Sequence, residues 1–492
     1  MVALRLIDLV KGLAEVNAVA IPPELEIAGI GADSRSLAPG FLFAALPGAK
    51  TDGRAFIADA LARGAVAVLG PAGSQPPAPN TKAVFLSAAN PRRAYALLAA
   101  RFFARQPATV AAVTGTNGKT STVHFLRQIW THLGLRAASI GTLGVVGTQG
   151  ETLRVGGLTT PDPAELHRAL KDMAETGIEH LALEASSHGL DQFRLDGVRL
   201  KAAAFTNLTR DHLDYHPDMA AYLAAKRRLF AELLPEDAAA VVHSGAPGAA
   251  AILDVCRHRR LKIVTYGEGA DIALRACQPT PGGQKLDLSL FEVRRAVEFP
   301  LVGRFQAENA MGALGLAIAC GADVRTAVAA LEHLGGAPGR LEKAGATRSG
   351  AAIYVDYAHT PDALANVLGA LRPHAKGKLS LVFGCGGERD PGKRPEMGRL
   401  ASRLADAVIV TDDNPRGEDP AAIRHAILAA CPGATEIADR REAIRAAVAR
   451  LKAGDVLVLA GKGHERVQIV GTNVLPFDDA AVARAALKEI EP

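Results

Sequence analysis

Apolar and polar positions along the chain form three successive patterns. The first hundred residues carry short apolar runs, GFLFAAL and AVAVLG among them, joined by Gly, Pro and Asp turns. They end in PRRAYALLAARFFARQ, whose apolar spacing predicts a helix. From about residue 108, apolar strand-like runs (ATVAAVTG, HLALEA and AAAFTNL) alternate with amphipathic helical stretches. That alternation predicts a mostly parallel α/β sheet.

A Gly/Pro-rich break, GGAPGR at 335–340, precedes the third pattern. Four apolar runs follow it, and each finishes in a polar loop: AIYVDYAHTPD, LSLVFGCGGERD, AVIVTDDNPR and VLVLAGKGHE. Ligands of open α/β sheets bind beyond the carboxyl ends of the strands, so these loops predict a second ligand-binding sheet. We therefore expect an α/β fold with three domains at residues 1–101, 102–336 and 337–492, which suits a chain of 492 residues.

Composition narrows the function classes. Hydrophobic residues make up 49% and charged residues 22%, the balance of a soluble globular protein. The net charge of +5 is spread along the chain, whereas a nucleic-acid-binding protein would cluster its Lys and Arg, so we expect no nucleic-acid partner. Five scattered cysteines without a CxxC pair argue against a disulfide framework or a zinc site. The sequence lacks a signal peptide and an apolar run long enough to span a bilayer, which predicts a cytoplasmic protein with no membrane partner.

The stretch VTGTNGKTSTVHFL, residues 113–126, has the features of a nucleotide phosphate loop, although only two residues separate Gly115 from Gly118. A strand leads in and a helical pattern leads out, so the loop N–H groups and the helix N-terminus can bind an anion. Lys119 can reach terminal phosphates, and the Thr120 hydroxyl can bind Mg²⁺. The alternative, an ordinary Gly-rich turn, fits this context poorly.

The tight spacing GTNGKT resembles the ATP loop of the Mur ligase superfamily, which includes the muramyl-peptide ligases and folylpolyglutamate synthase. Further motifs follow in the order that this family shows: DSRSLAPGFLFAALPG, TTPD, EASSHGLDQFR, TNLTRDHLDYH, AYLAAKRRLF, LVGRFQAENA, GRLE, YAHTPDAL, FGCGGERD, DNPR and GKGHE. The resemblance covers nearly the whole chain. Within the family it is greatest to the ligases that add the third residue of the peptidoglycan stem peptide.

This resemblance implies an ATP-dependent amide ligase. It would join meso-diaminopimelate to UDP-N-acetylmuramoyl-L-alanyl-D-glutamate through an acyl phosphate, acting on these small molecules as a monomer. It also implies a small N-terminal α/β UDP-binding domain, a central P-loop-type ATPase domain with a mostly parallel sheet, and a C-terminal Rossmann-like α/β domain that binds the amino acid. Its cofactor would be Mg²⁺.

The resemblance assigns catalysis to Lys119, His212 and Lys226, with a CO₂-derived carbamate on Lys226. Thr120, Glu184, His212 and the carbamate would bind Mg²⁺, which prefers oxygen ligands. Read as single residues, Glu184 would be a solvated loop residue, His212 a surface histidine and Lys226 a surface lysine facing water.

Substrate contacts are implied in the same way. The ATP-binding residues would be Gly115, Thr116, Asn117, Gly118, Lys119, Thr120, Ser121, Asn309, Arg340, Asp356 and His359. The UDP-substrate would be bound by Ser34, Thr159, Thr160, Ser186, Gln192 and Arg194. As single residues, the Ser and Thr members would more often be cap or turn formers.

DNPR, residues 413–416, indicates which amino acid is added. On its own it reads as a β-turn with an exposed arginine. In the family, this loop meets the incoming side chain, where Arg416 would bind a carboxylate in two-point fashion and repel the ammonium of lysine. The prediction is therefore diaminopimelate, bound by Arg389, Asp413, Asn414, Pro415, Arg416, Gly461 and Glu465.

The chain departs from the family pattern in a few places. PGFLF and DGR replace an acidic residue and a histidine that are usual in the first domain, which affects uridine contacts. Gln306 stands where Asn is usual, and Glu388 where Asp is usual.

Two other functions fit the sequence less well. Folylpolyglutamate synthase, the alternative within the superfamily, lacks both a uridine-binding first domain and DNPR. A nucleic-acid-binding NTPase would need clustered basic residues and stacking aromatics.

Overall fold

The computed structural model describes residues 3–18, 20–48, 51–73, 82–148, 150–153, 158–280, 283–291 and 293–490. The chain divides into two compact units, which are described separately. Unit 1 contains Met1–Ala112, Arg136–Lys201 and Arg228–Pro235, and unit 2 contains Val113–Leu135, Ala202–Arg227 and Glu236–Pro492. The strand Thr109–Thr114 passes from the first unit into the second.

Unit 1 begins with a five-stranded sheet. Its strands lie in the order Asn17–Ala18, Val84–Ala88, Ala67–Pro71, Phe41–Ala44 and Gly29–Gly31. All neighbours are parallel except the first pair. A separate antiparallel pair is formed by Leu4–Arg5 and Glu26–Ile27. The helices of this part are Leu6–Val10, Ile57–Ala62 and Pro91–Phe103, with 3₁₀ turns at Ser34–Ser36 and Gly53–Phe56.

The rest of unit 1 is built around two parallel strands, Ala137–Gly141 and His180–Glu184. Antiparallel strands Gly144–Val146 and Thr152–Leu153 extend this sheet. Helix Pro163–Glu175 begins with an Asp162 side-chain cap and Pro163 in its first turn, as strong start signals predict. The short helix Ser187–Asp191 and the π-helical turn Leu229–Leu233 complete the unit.

The first part of unit 2 carries the phosphate-loop helix and a second set of strands. Strands Ala202–Phe205, Ala239–His243 and Lys262–Gly267 are parallel to one another. Strands Ile272–Thr280, Gly283–Leu290 and Val293–Phe299 continue the sheet, the last two pairings being antiparallel. The helices are Lys119–His132, Met219–Arg228, Ala249–His258, Arg304–Ala319 and Val324–Ala329, followed by the 3₁₀ turn Ala330–His333.

The second part of unit 2 is a six-stranded sheet. Its order is Glu342–Ala346, Ala352–Asp356, Val456–Ala460, Leu379–Phe383, Ala407–Val410 and Thr435–Glu436. Only the first pair is antiparallel. The helices are Pro361–Leu371, Lys393–Leu404, Pro420–Leu428, Arg440–Ala449 and Asp479–Ile490, with a 3₁₀ turn at Arg372–His374 and a hairpin of Val467–Val470 and Asn473–Pro476.

The structure confirms the α/β fold and the strands and loops predicted for the third region. Each of its four apolar runs forms a buried strand, and each polar loop follows the carboxyl end of its strand. Apolar side chains from both faces of this sheet form two separate hydrophobic clusters. The loops therefore lie at one edge of a rigid sheet, where parallel neighbours place them side by side.

Two other features bear on the sequence predictions. All five cysteines are free, as their scattered spacing predicted. Among the helices that the structure describes, none has the length and apolar character that crossing a membrane would require.

A buried ion pair ties two helices of the C-terminal sheet together. The Arg440 guanidinium donates to both carboxylate oxygens of Asp479 at 2.8 and 2.6 Å and to the carbonyl oxygen of Ala460 at 2.9 Å. Neither side chain is exposed. Replacing Arg440 by Leu should lower the free energy of unfolding by about 3–5 kcal/mol, because it leaves the Asp479 carboxylate buried without a partner.

Urea unfolding followed by circular dichroism measures this loss. The matched control is Arg445→Leu, which removes a cation from a solvent-exposed pair with Glu489 on the same two helices. That change should be small beside the first, because exposed ion pairs add little to stability. Equal losses for the two variants would contradict the assigned importance of the buried pair.

Candidate active site

The predicted phosphate loop has the required context. Strand Thr109–Thr114 leads into it, and helix Lys119–His132 begins directly after Gly118. Gly118 has a φ of +87°, and a Cβ built there would lie 2.3 Å from Asn309 Oδ1. This position therefore requires glycine on two grounds, backbone conformation and close approach. A helix N-terminus favours an anion because its N–H groups and positive dipole point outward along the helix axis.

Side chains from the TNLT segment hold this loop in shape. The N–H groups of Thr116 and Asn117 donate to the backbone and side-chain oxygens of Asn207, both at 2.9 Å. Thr206 Oγ1 donates to the carbonyl oxygen of Asn117 at 2.6 Å. From the C-terminal part of unit 2, Asp362 Oδ2 accepts from Asn117 Nδ2 at 3.0 Å. The loop conformation is therefore set by contacts beyond the loop itself.

Two lysines lie against the same carbonyl oxygen of the loop. Lys119 Nζ and Lys226 Nζ each donate to Gly115 O at 2.9 Å, and Lys119 also donates to Thr116 O at 2.8 Å. Lys226 is 1% exposed, and its ammonium lies 4.2 Å from the centre of the Tyr222 ring. The surface-lysine alternative is therefore wrong. Burial, with the nearby Lys119 charge, holds the pKa of Lys226 well below its usual value.

An acidic group, Asp211, shares this environment. Burial acts to raise the pKa of its carboxyl, but nearby His359, His212 and Lys119 outweigh that effect and the pKa is lowered. His212 has a φ of +55°, and its side chain is 38% exposed, with Nε2 3.5 Å from Asp211 Oδ2. The predicted catalytic histidine thus lies beside a charged carboxylate at the edge of the lysine cluster.

Arg340 connects the Gly/Pro break to the phosphate loop. Its Nη2 donates to Thr120 Oγ1 at 3.3 Å, and its guanidinium stacks 4.2 Å from the centre of the Tyr357 ring. Thr120 itself is buried at the start of its helix. Within unit 2, the structure thus brings together the predicted phosphate-binding arginine and the predicted metal-binding hydroxyl.

Asp356 is the last residue of strand Ala352–Asp356, and His359 lies in the loop that follows, with Tyr357. The Asp356 carboxylate accepts from the N–H groups of Leu341 at 2.6 Å and Ala358 at 2.8 Å. Burial raises the pKa of Asp356 to about 6, although Arg340 opposes this shift. His359 Nδ1 lies 2.8 Å from Tyr357 O, and burial lowers the pKa of the His359 imidazole.

The residues predicted to bind the UDP-substrate lie in unit 1, and Thr160, Ser186, Gln192 and Arg194 form one network with the Glu184 main chain. Thr160 Oγ1 donates to Glu184 O and lies 3.0 Å from Ser186 Oγ, and Arg194 Nη1 donates to Thr160 O at 2.8 Å. Arg194 Nη2 also donates to Gln192 Oε1 at 2.7 Å. Serine and threonine here serve partly as caps, since Ser186 caps helix Ser187–Asp191.

The Glu184 carboxylate is buried, so the solvated-loop alternative is wrong. It accepts from the N–H and Oγ1 of Thr142 at 2.8 and 3.1 Å, and Thr142 Oγ1 lies 3.2 Å from Thr159 Oγ1.

Ser34, in contrast, is buried at the start of a 3₁₀ turn and bonds to Asp59. A cavity of about 210 Å³ opens beside Arg194, lined by Ala32, Leu46, Arg92, Tyr95, Leu158, Asp162, Pro163, Gln192 and Arg194.

The DNPR segment forms a tightly bonded loop after strand Ala407–Val410. Arg416 has a φ of +53°, its N–H donates to Ile469 O at 3.1 Å, and its carbonyl oxygen accepts from Gly471 N–H at 2.7 Å. Arg416 Nη1 donates to Gly387 O at 2.8 Å. The side chain is half-buried, so the loop is more than a turn with an exposed arginine.

The remaining predicted amino-acid contacts surround this loop. Asn414 Nδ2 donates to Glu465 Oε2 at 2.8 Å, and a Cβ on Gly461 would lie 2.6 Å from Asp413 Oδ2. Pro415 is buried. Arg389 is the most exposed member at 54% of its side chain, with Nη1 3.4 Å from Asp214 Oδ2. Six of the seven residues thus form one cluster, and Arg389 extends from a neighbouring loop.

The donor set for Mg²⁺ is rich in oxygen but contains no ready-made cage. Within the described parts of the chain, no three side chains of His, Cys, Asp or Glu come together as a metal site. Mg²⁺ in nucleotide enzymes is commonly held by one or two protein ligands and by substrate phosphates, so this arrangement fits it. Thr120 provides such a hydroxyl at the start of the phosphate-loop helix.

Comparison with known proteins identifies the family. Three family models match the chain: "Mur ligase family, catalytic domain" at residues 26–103, "Mur ligase middle domain" at 113–317, and "Mur ligase, glutamate ligase domain" at 339–463. The chain belongs to the Mur ligase family. The three matches follow the three-domain order expected of the family, while the exact domain boundaries at 101 and 336 remain a prediction.

Individual relatives of this Mur ligase are also similar over their whole length. A curated protein of Bradyrhizobium diazoefficiens is 54% identical over 479 residues, covering 96% of this chain and 97% of the relative. One of Caulobacter vibrioides is 52% identical over 470 residues, covering 94% and 96%. Both are named UDP-N-acetylmuramoyl-L-alanyl-D-glutamate--2,6-diaminopimelate ligase.

Solved structures agree with the family assignment. A structure bearing the same ligase name is 34% identical, covers 100% of both chains and has a TM-score of 0.72. The MurF ligase of Thermotoga maritima in complex with ADP is 19% identical, with a TM-score of 0.63, and covers 94% of this chain and 96% of that one. The second likeness concerns the fold alone.

Sequence reasoning overlooked several residues of this Mur ligase site. Asn207 and Asp362 hold the phosphate loop, Tyr357 supports Arg340, and Lys462 bonds to the DNPR loop. All four lie within quoted motifs, and Tyr357 and Lys462 are directly beside Asp356 and Gly461, to which roles were assigned. Their position in a motif was therefore the signal that could have indicated these four residues. Their roles could not be predicted, because they depend on contacts between segments that are distant in the chain.

The raised pKa of Asp356 predicts a pH-dependent stability. Because its folded pKa of about 6 lies above the ordinary 3.8, the folded protein binds a proton between these values that the unfolded chain does not. The stability from this group is present below pH 4 and lost as pH rises through 6. Asp356→Asn cannot titrate, so the free energy of unfolding of wild type relative to this variant should fall from pH 4 to pH 7, by at most about 3 kcal/mol.

Urea unfolding at several pH values tests this. Asp406→Asn is the control with opposite sign, because the Leu379 N–H and Arg372 hold the pKa of Asp406 below its usual value. The difference in free energy of unfolding between wild type and Asp356→Asn could instead stay constant with pH. That result would show that the Asp356 carboxyl does not titrate in this range.

Proposed function

We propose that this member of the Mur ligase family is an ATP-dependent ligase that adds meso-diaminopimelate to UDP-N-acetylmuramoyl-L-alanyl-D-glutamate through an acyl phosphate. The names of the curated relatives support this reaction. The observation that carries it is the placement of a half-buried Arg416, which donates to Gly387 O, and of Glu465, which accepts from Asn414 of the same DNPR loop, at the carboxyl edge of the C-terminal sheet. A cation and an anion together suit a side chain that ends in both carboxylate and ammonium.

ATP would bind at the phosphate loop. Its phosphates would meet the N-terminus of helix Lys119–His132, the Lys119 ammonium and the Arg340 guanidinium, which already reaches Thr120. These groups neutralise charge on the transferred phosphoryl group, the main requirement in phosphoryl transfer. We assign nucleotide binding to the eleven residues predicted above, with Asn309 for adenine, Asp356 for ribose and His359 near the phosphates.

Lys226 would be carbamylated by CO₂. An amine attacks CO₂ only when unprotonated, and burial beside Lys119 favours that neutral form. The resulting carbamate would offer anionic oxygen in place of an ammonium. We propose that Thr120, Glu184, His212 and this carbamate hold Mg²⁺, which would supply positive charge to the ATP phosphates.

The UDP-substrate would bind in unit 1, next to the Thr160–Ser186–Arg194 network and its cavity. Arg92 and Arg194 line that cavity and are suited to a ligand with diphosphate and carboxylate groups. Ser34, Thr159 and Gln192 complete the set of proposed contacts. The departures in the first domain concern uridine contacts and leave these arginines in place.

The reaction then has two balanced steps. A γ-carboxylate oxygen of the D-glutamyl residue attacks the γ-phosphorus of ATP, the bond to the bridging oxygen breaks, and ADP leaves. The amine of diaminopimelate attacks the acyl carbon, phosphate leaves with the electrons of the broken C–O bond, and the amine loses a proton. Lys119 and Arg340 would stabilise the developing charge in the first step.

We also propose that the protein acts as a monomer in the cytoplasm, on small-molecule substrates and without nucleic-acid or membrane partners. These proposals rest on the sequence arguments and on the nature of the proposed substrates.

Amino-acid specificity is the sharpest test of the function. Wild-type enzyme with ATP and the UDP-dipeptide should release phosphate when given meso-diaminopimelate and much less when given lysine. In Arg416→Ala, the KM for diaminopimelate should rise, because the substrate carboxylate loses a two-point partner. The rise should correspond to a loss of roughly 2–5 kcal/mol of binding free energy. KM values for ATP and the UDP-dipeptide should stay nearly unchanged.

Steady-state phosphate release, varying one substrate at a time, measures these constants. Arg416→Lys is the matched control and should restore only part of the affinity, because a point charge cannot reproduce the planar fork. A wild type that prefers lysine would overturn the proposed function. An unaltered diaminopimelate KM in Arg416→Ala would overturn only the role of Arg416.

The Lys226 proposal has its own test. Lys226→Ala should be nearly inactive, and acetate should partly restore phosphate release by supplying the missing oxygen ligand. Lys343→Ala, at an exposed lysine, is the control and should retain activity. Native mass spectrometry in CO₂-containing buffer should show a carbamate-sized adduct on wild type that Lys226→Ala lacks. Full activity of Lys226→Ala would contradict the assignment.

A further inference from the structure

Lys462, in the loop after strand Val456–Ala460, is fully buried. Its Nζ donates to Asn414 Oδ1 and to Glu465 Oε2, both at 3.0 Å. Asn414 Nδ2 also donates to Glu465 Oε2, at 2.8 Å. The three side chains therefore form a closed triangle of hydrogen bonds, with a cation, an amide and a carboxylate at its corners.

This triangle joins three separate chain segments. Lys462 and Glu465 belong to GKGHE, Asn414 belongs to DNPR, and Asn414 Oδ1 also accepts from the N–H of Ile469 in the following hairpin at 3.0 Å. The same hairpin fixes the backbone of Arg416. The buried ammonium thus lies where the GKGHE loop, the DNPR loop and the hairpin meet.

The geometry at Glu465 has a further consequence. Oε2 accepts from both Lys462 and Asn414, whereas none of the hydrogen bonds within the described residues uses Oε1. The Glu465 side chain is 26% exposed. Holding one oxygen in place fixes the direction in which the other is presented.

We infer that Lys462 is a positioning residue of the amino-acid site. It acts through Asn414 and Glu465, holding the carboxylate at the angle needed for the ammonium of the substrate and keeping the Arg416 loop against the GKGHE loop. This inference rests on the proposed function, because it assumes that Glu465 and Arg416 meet the added amino acid. It assigns to Lys462 an effect on amino-acid binding and none on ATP.

The test compares Lys462→Met with wild type in the full-length protein. Methionine keeps the length and apolar stem of the side chain and removes the ammonium. The KM for diaminopimelate should rise roughly ten- to hundredfold, the effect of losing hydrogen bonds from a charged donor. The KM values for ATP and the UDP-dipeptide should remain within about twofold, since the Lys462 ammonium bonds to Asn414 and Glu465 in the amino-acid site.

A double variant shows whether Lys462 acts through Glu465. In a Glu465→Gln background the carboxylate is already lost, so adding Lys462→Met should change the diaminopimelate KM by less than about threefold. Lys462→Gln keeps a donor for Asn414 without the charge and should lie between wild type and Lys462→Met. It also keeps the test open should the methionine variant fail to fold.

Arg372→Met is the matched control in the same sheet. Arg372 donates to Asp406, Ala375 and Gly377 at the end of the sheet opposite the loops, so its loss should leave the diaminopimelate KM unchanged. Equal rises in all three KM values for Lys462→Met, or a diaminopimelate KM unchanged in both Lys462 variants, would overturn the inference. A wild type that does not use diaminopimelate would instead reject the proposed function, so the two failures are distinguishable.

Discussion

The carbonyl oxygen of Gly115 accepts hydrogen bonds from two lysines, and the candidate active site depends on this crowding of positive charge. Lys119 comes from the start of the loop helix and Lys226 from a distant helix. Two ammonium groups at one oxygen repel each other, and the interior cannot solvate the second charge. The site relieves this by favouring a neutral Lys226, which is the form that can react with CO₂. The Lys119 ammonium then remains as the positive charge where ATP phosphates would lie.

That arrangement requires the loop to keep its shape with little help from its own residues. Thr206 and Asn207 hold it from the segment directly after strand Ala202–Phe205, and Asp362 holds it from the C-terminal part of unit 2. Asp362 begins a helix directly after the strand and loop that carry Asp356 and His359. Contacts made by one segment therefore position two parts of the proposed nucleotide site together.

The sequence predicted the strands, the loops at their ends and most of the candidate residues, because these depend on local apolar periodicity and motif order. It could not predict burial where periodicity is ambiguous. Lys226 follows Tyr222 at helical spacing, a pattern that a solvent-facing lysine would also show, and only tertiary packing makes it buried. The helix itself ends at Arg228, and the π-helical turn Leu229–Leu233 follows. Lys462 was overlooked because one of its partners, Asn414, lies 48 residues away along the chain. The local bond to Glu465 alone does not indicate a buried lysine.

The bonding of Arg416 has a consequence for protein engineering. Its backbone is held in a left-handed conformation by Ile469 and Gly471, so the direction of its side chain depends on the hairpin of Val467–Val470 and Asn473–Pro476. Exchanging the four DNPR residues alone for those of another ligase would leave the new loop bonded to the original hairpin, which would still fix the backbone at position 416. Redirecting the enzyme to another amino acid would therefore require transplanting loop and hairpin as one cassette.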